Sequence, residues 1–205
     1  MIYQCVHQIV LTTSNHRPFD FPEGRIDFEP VKGGRLGVVK YADWSIGHFI
    51  KKAKNTSWFK NTVFVFIADH GSSSAGEKDL NPDKHRIPLI IYSPDFIKPQ
   101  RVEKVISQID TMPTLLALLN FSYESRLMGR NALEAPDDGR FFLSNYQCIG
   151  YAEKNKLAIL KPVRDVVIYV DGKKQNTTDD GIVKKAIAYY QYSSDWKGLL
   201  GSHAD

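Results

Sequence analysis

Cysteine is scarce in this chain of 205 residues: Cys5 and Cys148 are the only two, far apart and with no CxxC spacing. They define neither a zinc site nor a disulfide framework. Long apolar runs are missing as well. The longest, at 62–68 and 87–92, fall well short of the ~18 residues of a membrane span. The opening MIYQCVHQIVLTT has neither the basic segment nor the long apolar core of a secretory signal. It reads instead as a strand, so the chain is expected to open inside a folded element. No sign of charge dominates, because 27 Lys and Arg stand against 23 Asp and Glu for a net +4. The densest basic cluster, Lys51-Lys52-Ala53-Lys54, falls on a predicted helix, where a solvated face accounts for it. Nucleic acid is therefore not an expected partner. Neither GxGxxG nor GxxxxGK[ST] occurs, so dinucleotide and P-loop binding have no support. Gly71-Ser72-Ser73-Ser74-Ala75 ends in alanine and is not the G-x-S-x-G elbow of a serine hydrolase.

What is present is an ordinary globular composition, 42% apolar and 24% charged, with length for one sizeable core. Residues 3–12 are β-like and end in the polar turn Ser14-Asn15-His16. Residues 17–35, rich in Pro and Gly, are expected to form a long loop. Apolar positions at 38, 39, 42, 46, 49, 50 and 53 follow the i, i+3, i+4, i+7 spacing of a helix. The run 62–68 suits a strand buried on both faces of a parallel sheet. A polar loop of about sixteen residues follows, longer than the ~2–6 usual for a strand-to-helix connection, and it is expected to carry function or to order on binding. A second buried strand is predicted at 87–92. Ser107 or Asp110 can cap a helix through 114–120, with Pro113 tolerated in its first turn. Short strands at 141–146, 156–161 and 166–170 make an antiparallel meander, with the turn Pro162-Val163-Arg164-Asp165 between the last two. An amphipathic helix over 179–192 closes the chain. The class is α/β.

Three clusters could carry chemistry. In Asp69-His70-Gly71 the residues stand at a strand end. Neighbours within a strand point to opposite faces, so Asp69 and His70 can share an ion only where the backbone turns, and Gly71 permits the positive φ such a turn often needs. Carboxylate plus imidazole suits zinc or manganese better than calcium. The alternative is that Asp69 caps the next turn and His70 is a satisfied interface histidine. In Thr12-Thr13-Ser14-Asn15-His16 the histidine could neutralise a phosphate oxygen or protonate a leaving group. It could equally be a surface histidine on an Asx or Ser/Thr turn. Lys84-His85-Arg86 could hold an anion or add a metal ligand, or simply be solvated at a loop end.

In series, TTSNHRPF, YADWSIGHFI, NTVFVFIADHG, RIPLIIYSP and SQIDTMPTLLALL resemble, in order and spacing, the sulfatase-like catalytic domain. Within the alkaline phosphatase superfamily they look most like the lipoteichoic acid synthase and phosphoglycerol transferase branch. The resemblance covers about residues 5–170. It implies an alkaline-phosphatase-like α/β core, a mostly parallel sheet flanked by helices, over about 1–135. A small β-meander and terminal helix would occupy 136–205. The chain as a whole would be the C-terminal portion of one catalytic domain.

The resemblance further implies that Asp69 and His70 ligate a catalytic divalent ion. Manganese is favoured, with zinc, magnesium and calcium as alternatives. His16 would act at the substrate's phosphate or head group. Asp110 would be structural, opening its helix. His85 maps to no motif and stays a candidate for substrate binding. The family nucleophile, a threonine or in relatives a serine or modified cysteine, belongs to the amino-terminal half together with a further acidic ligand. Thr12 and Thr13 lie in the wrong segment, so no nucleophile is expected in this chain. The implied reaction is ping-pong transfer or hydrolysis of phosphate or sulfate esters, lipid- or glycan-linked. The full-length enzyme would be membrane-anchored with an extracytoplasmic catalytic domain. The competing expectation is a non-catalytic binding module on a degenerate sulfatase-like fold.

Overall fold

The computed structural model describes residues 6–71, 80–178, 180–195 and 198. The chain divides into two compact units, residues 1–63 and 64–205.

In the first unit, residues 6–12 form no strand. β-branched side chains favour extended backbone, but a ladder needs a partner strand. Val6, Ile9, Val10 and Leu11 are 73–84% exposed. Residues 3–5 lie outside the described part of the expected strand. The predicted loop over 17–35 ends early, because helix α1 spans Pro30–Ala53. Pro30 sits in the first turn, where its missing N–H costs nothing. Gly34, at φ 52° and ψ −143°, interrupts the helix with a backbone conformation that only glycine adopts readily. Beyond it Val38 and Ala53 are buried. Aromatic rings line one side: Phe21 stacks on Tyr41 at 5.7 Å, Tyr41 on Trp44 at 5.8 Å and Trp44 on His48 at 4.8 Å.

The second unit opens with strand β1 (Phe64–Ile67), paired with β2 (Leu89–Tyr92). Both lie inside the predicted runs. The pairing is antiparallel, with Phe64 opposite Tyr92 and Ile67 opposite Leu89. A parallel pair needs a crossover, usually helical. The described part of the connection holds only a 3₁₀ turn, Pro82–His85. Helix α2 (Thr111–Leu118) follows the 3₁₀ turn Gln108–Asp110.

The meander is larger than the sequence pattern indicates. Strands β3 (Phe141–Asn145), β4 (Cys148–Glu153), β5 (Lys156–Leu160), β6 (Val166–Val170) and β7 (Lys173–Lys174) pair in that order, antiparallel throughout. Side chains alternate between two faces. Leu143, Leu157, Ile159 and Val167 pack with Leu80 on one. Tyr151, Ala158 and Ile168 meet Ile182, Val183 and Ala186 of helix α3 (Gly181–Ser194) on the other. Asp180 caps α3 by accepting from the Ile182 N–H at 3.0 Å.

One buried ion pair ties helix α2 to the meander. Asp110 and Arg140 have side chains only 3% and 5% exposed and meet at 2.5 Å. The Asp110 carboxylate also accepts from the backbone N–H groups of Ser107, at 3.0 Å, and Arg130, at 2.9 Å. Arg140 also donates from Nη1 to the Met128 carbonyl at 3.0 Å. Thr114 donates its hydroxyl to the Asp110 carbonyl and accepts from the Ala132 N–H. Breaking such a pair strands a buried charge, which costs about 3–5 kcal/mol. Arg140→Met is expected to lower unfolding free energy by that amount in urea titration.

Beside it, Arg130 makes a two-pronged contact with Asp138 at 2.8 and 2.5 Å. The Arg130 hydrogen bonds hold the Asp138 carboxyl down at about 2, from 3.8. The unfolded chain then binds the proton first on acidification. The stabilisation is complete above about pH 4 and is lost as pH falls through 2. Asp138→Asn should therefore be less stable than the parent at pH 7, with the gap closing in denaturation curves taken towards pH 2.

Candidate functional site

Asp69 and His70 stand just past β1, which ends at Ile67. Their side chains are 80% and 65% exposed, and His70 Nε2 lies 3.8 Å from Asp69 Oδ2. The other carboxylate oxygen, Oδ1, accepts from the His70 N–H at 2.9 Å. His70 Nδ1 lies 2.9 Å from the Gly71 carbonyl. A carbonyl only accepts, so Nδ1 is the donor, and it is Nε2 that keeps the lone pair whenever the ring is neutral. Both residues thus turn to the same side of the strand end, as two ligands of one ion must.

The donor set fits a divalent cation. Two metal–ligand bonds of about 2.1 Å at ordinary angles separate donor atoms by about 3.0–3.4 Å. A small rotation of two exposed side chains covers the remaining distance. The backbone carbonyl on Nδ1 is the outer partner that ligating histidines commonly have. Among the described residues, no three His, Cys, Asp or Glu side chains group at metal-holding distance. Asp69 and His70 are therefore two donors, and His85 does not join them as a third.

Gly71 acts differently from expectation. It has no positive φ; what it supplies is room. A Cβ built there would sit 2.0 Å from the Lys84 carbonyl oxygen and 3.6 Å from His85 Cα. The backbone after His70 therefore lies directly against the 3₁₀ turn Pro82–His85. His85 Nδ1 is 2.8 Å from the Asn81 carbonyl, which again leaves Nε2 as the acceptor. That Nε2 is buried and has no hydrogen-bond partner among the described residues. Residues 72–79, including the serines, lie outside them. Gly71→Ala must push two backbone segments apart. It should cost about 1–3 kcal/mol, as overpacking does, read from the urea midpoint.

His16 belongs to the first unit. Two consecutive turns hold it: its N–H donates to Thr13 at 3.0 Å, and its carbonyl accepts from Phe19 at 3.0 Å. Its Nδ1 sits 2.8 Å from the Arg17 carbonyl, the same arrangement as in His70 and His85. A cavity of about 590 Å³ opens here, lined by Thr13, Ser14, His16, Arg17, Asp20 and Tyr41, among others. Tyr41 opens the segment YADWSIGHFI, but the resemblance assigns it no role. Its signal in the sequence is the aromatic spacing Tyr41, Trp44, His48 along one side of α1.

Comparison with known proteins identifies the family and the fold. The sequence model of the Sulfatase family matches residues 9–121. A lipoteichoic acid synthase-like protein of Bacillus subtilis is 28% identical over 166 residues, covering 66% of this chain and 27% of the relative. Phosphoglycerol transferase I of Xanthomonas axonopodis is 29% identical over 116 residues, 56% of this chain and 16% of that protein. A solved structure from Vibrio parahaemolyticus, of a protein in the alkaline phosphatase superfamily, superposes with a TM-score of 0.76 at 27% identity. It covers 90% of this chain and 48% of that one. The chain thus spans about a quarter or less of the length of these two curated relatives.

Proposed function

Because this chain belongs to the sulfatase family, we propose that it is the C-terminal part of a divalent-metal-dependent phosphotransferase or hydrolase. One catalytic domain would contain all of 1–205, with about 1–135 in its α/β core and 136–205 as meander and terminal helix. The enzyme would act on phosphate or sulfate esters, lipid- or glycan-linked, through a covalent intermediate. Its nucleophile half would lie outside this chain. The observation that carries the reading is the Asp69–His70 pair: a carboxylate and a lone-pair Nε2 turned to one side, 3.8 Å apart.

In this reading Asp69 and His70 hold the cation, manganese by preference over zinc, magnesium or calcium. When bound, it supplies Lewis acidity that activates a hydroxyl and offsets charge developing on the ester. His16 meets the ester oxygens in the cavity beside Tyr41. At its free Nε2 it can take up or return a proton to the leaving oxygen. His85 stays the further candidate for substrate binding, its Nε2, unpartnered among the described residues, being reachable only once the groups that bury it move aside. The relatives' names support the branch: one is a lipoteichoic acid synthase-like protein and one a phosphoglycerol transferase. The exposed apolar run Val6, Ile9, Val10 and Leu11 supports the partition of the domain. A segment of that composition, which forms no strand here, would be at home as one between neighbours in a sheet. The full-length enzyme would be membrane-anchored and extracytoplasmic; among the described residues no helix is long and apolar enough to cross a membrane.

Elemental analysis of a longer protein that includes the nucleophile half tests the metal role. Asp69→Ala/His70→Ala should lose bound manganese, and an unchanged content sinks the reading. The 205-residue chain alone should show no phosphodiesterase turnover. Turnover that disappears in Asp69→Ala would place the whole machinery within this chain instead.

A further inference from the structure

Gln108 opens the 3₁₀ turn Gln108–Asp110. Its side-chain Nε2 lies 3.2 Å from the carbonyl oxygen of Ala68 and 3.3 Å from that of Asp69. Carbonyl oxygens only accept, so the group facing both must be the amide NH₂. That assignment fixes which end of the amide faces the strand end. These carbonyls lie just past the last residue of β1, beyond its ladder with β2. The Gln108 amide supplies them with donors from 39 and 40 residues away.

The turn that carries Gln108 is itself held. The Ser107 N–H donates to the Asp110 carboxylate at 3.0 Å, and Asp110 is locked to Arg140. A continuous chain of hydrogen bonds and covalent backbone therefore runs from the buried ion pair to the peptide that bears Asp69 and His70.

We infer that Gln108 is a positioning residue for that pair. Its amide grips the carbonyls of Ala68 and Asp69 and sets the turn at which the strand's side-chain alternation breaks. Asp69 Oδ2 and His70 Nε2 are thereby kept on one side, ready for a divalent cation. The inference rests on the metal role proposed for Asp69 and His70, and adds the group that orients them.

Titration of Mn²⁺ into the chain, followed by paramagnetic broadening of the His70 ring resonances, tests it, because broadening detects weak binding and reports where it occurs. Gln108→Met keeps the side-chain length and removes both donors. It should raise the Mn²⁺ concentration for half-broadening about tenfold, as loss of an outer-shell partner does. The carbonyl ¹³C resonances of Ala68 and Asp69 should shift as they lose their donor, in a protein that still unfolds cooperatively. Gln108→Glu separates position from charge. Its added carboxylate would strengthen cation binding by attraction alone, whereas its acceptor-only oxygens facing two carbonyls should weaken it. If both variants titrate like the parent while Asp69→Ala abolishes broadening, the positioning role is wrong and the metal role stands. If Asp69→Ala also broadens like the parent, both fall.

Discussion

The buried Asp110–Arg140 pair is the constraint on which the second unit depends. A carboxylate and a guanidinium taken out of water are costly unless each finds nearly all its partners. Asp110 finds them in the N–H groups of Ser107 and Arg130 and in the Arg140 Nη2. These partners come from three segments: the turn before α2, the loop after it and the first meander strand's edge. None of the three can move without uncovering a charge. The helix and the five-stranded sheet are thus joined by directional bonds, where apolar contact alone would let them slide.

That rigidity matters because the candidate centre is shallow. Asp69 and His70 are exposed and lie beyond the end of a two-stranded ladder. Local backbone there has little of its own to fix it. Order reaches it from two directions: from the ion pair through Gln108, and from the Pro82–His85 turn pressed against Gly71. The three candidate histidines are handled alike, each with Nδ1 on a nearby main-chain carbonyl. The backbone thereby selects which ring nitrogen remains available for chemistry.

Much of this was legible in the residues, and the failures have physical causes. Strands β1, β2, β3, β5 and β6 and helix α3 carry apolar patterns strong enough to be read directly. Strand β4, CIGYAE, is obscured by Gly150, which reads as a breaker. It is small there because the Leu143 side chain lies 2.9 Å from where its Cβ would be. The start of α1 hides behind Pro30 and Gly34, loop signals that a helix absorbs at its first turn and at a break. Residues 6–12 have strand composition without a strand, since pairing is a tertiary property. The parallel arrangement expected for 62–68 and 87–92 gave way to an antiparallel pair for want of a crossover helix in the described connection. Asp69, His70 and His16 could be picked out by residue type at element ends. Gln108 and Tyr41 stand in SQIDTMPTLLALL and YADWSIGHFI, but their residue types mark no role there, and what they contact is set only by folding.

Gly71 also sets a distance. Its missing side chain lets the backbone leaving the Asp69–His70 turn lie against the Pro82–His85 turn that leads into β2. Two points of the main chain, at residues 71 and 84, are thereby held close with no side chain between them. Any larger residue at this one position would change how far His70 stands from His85, whatever surrounds them.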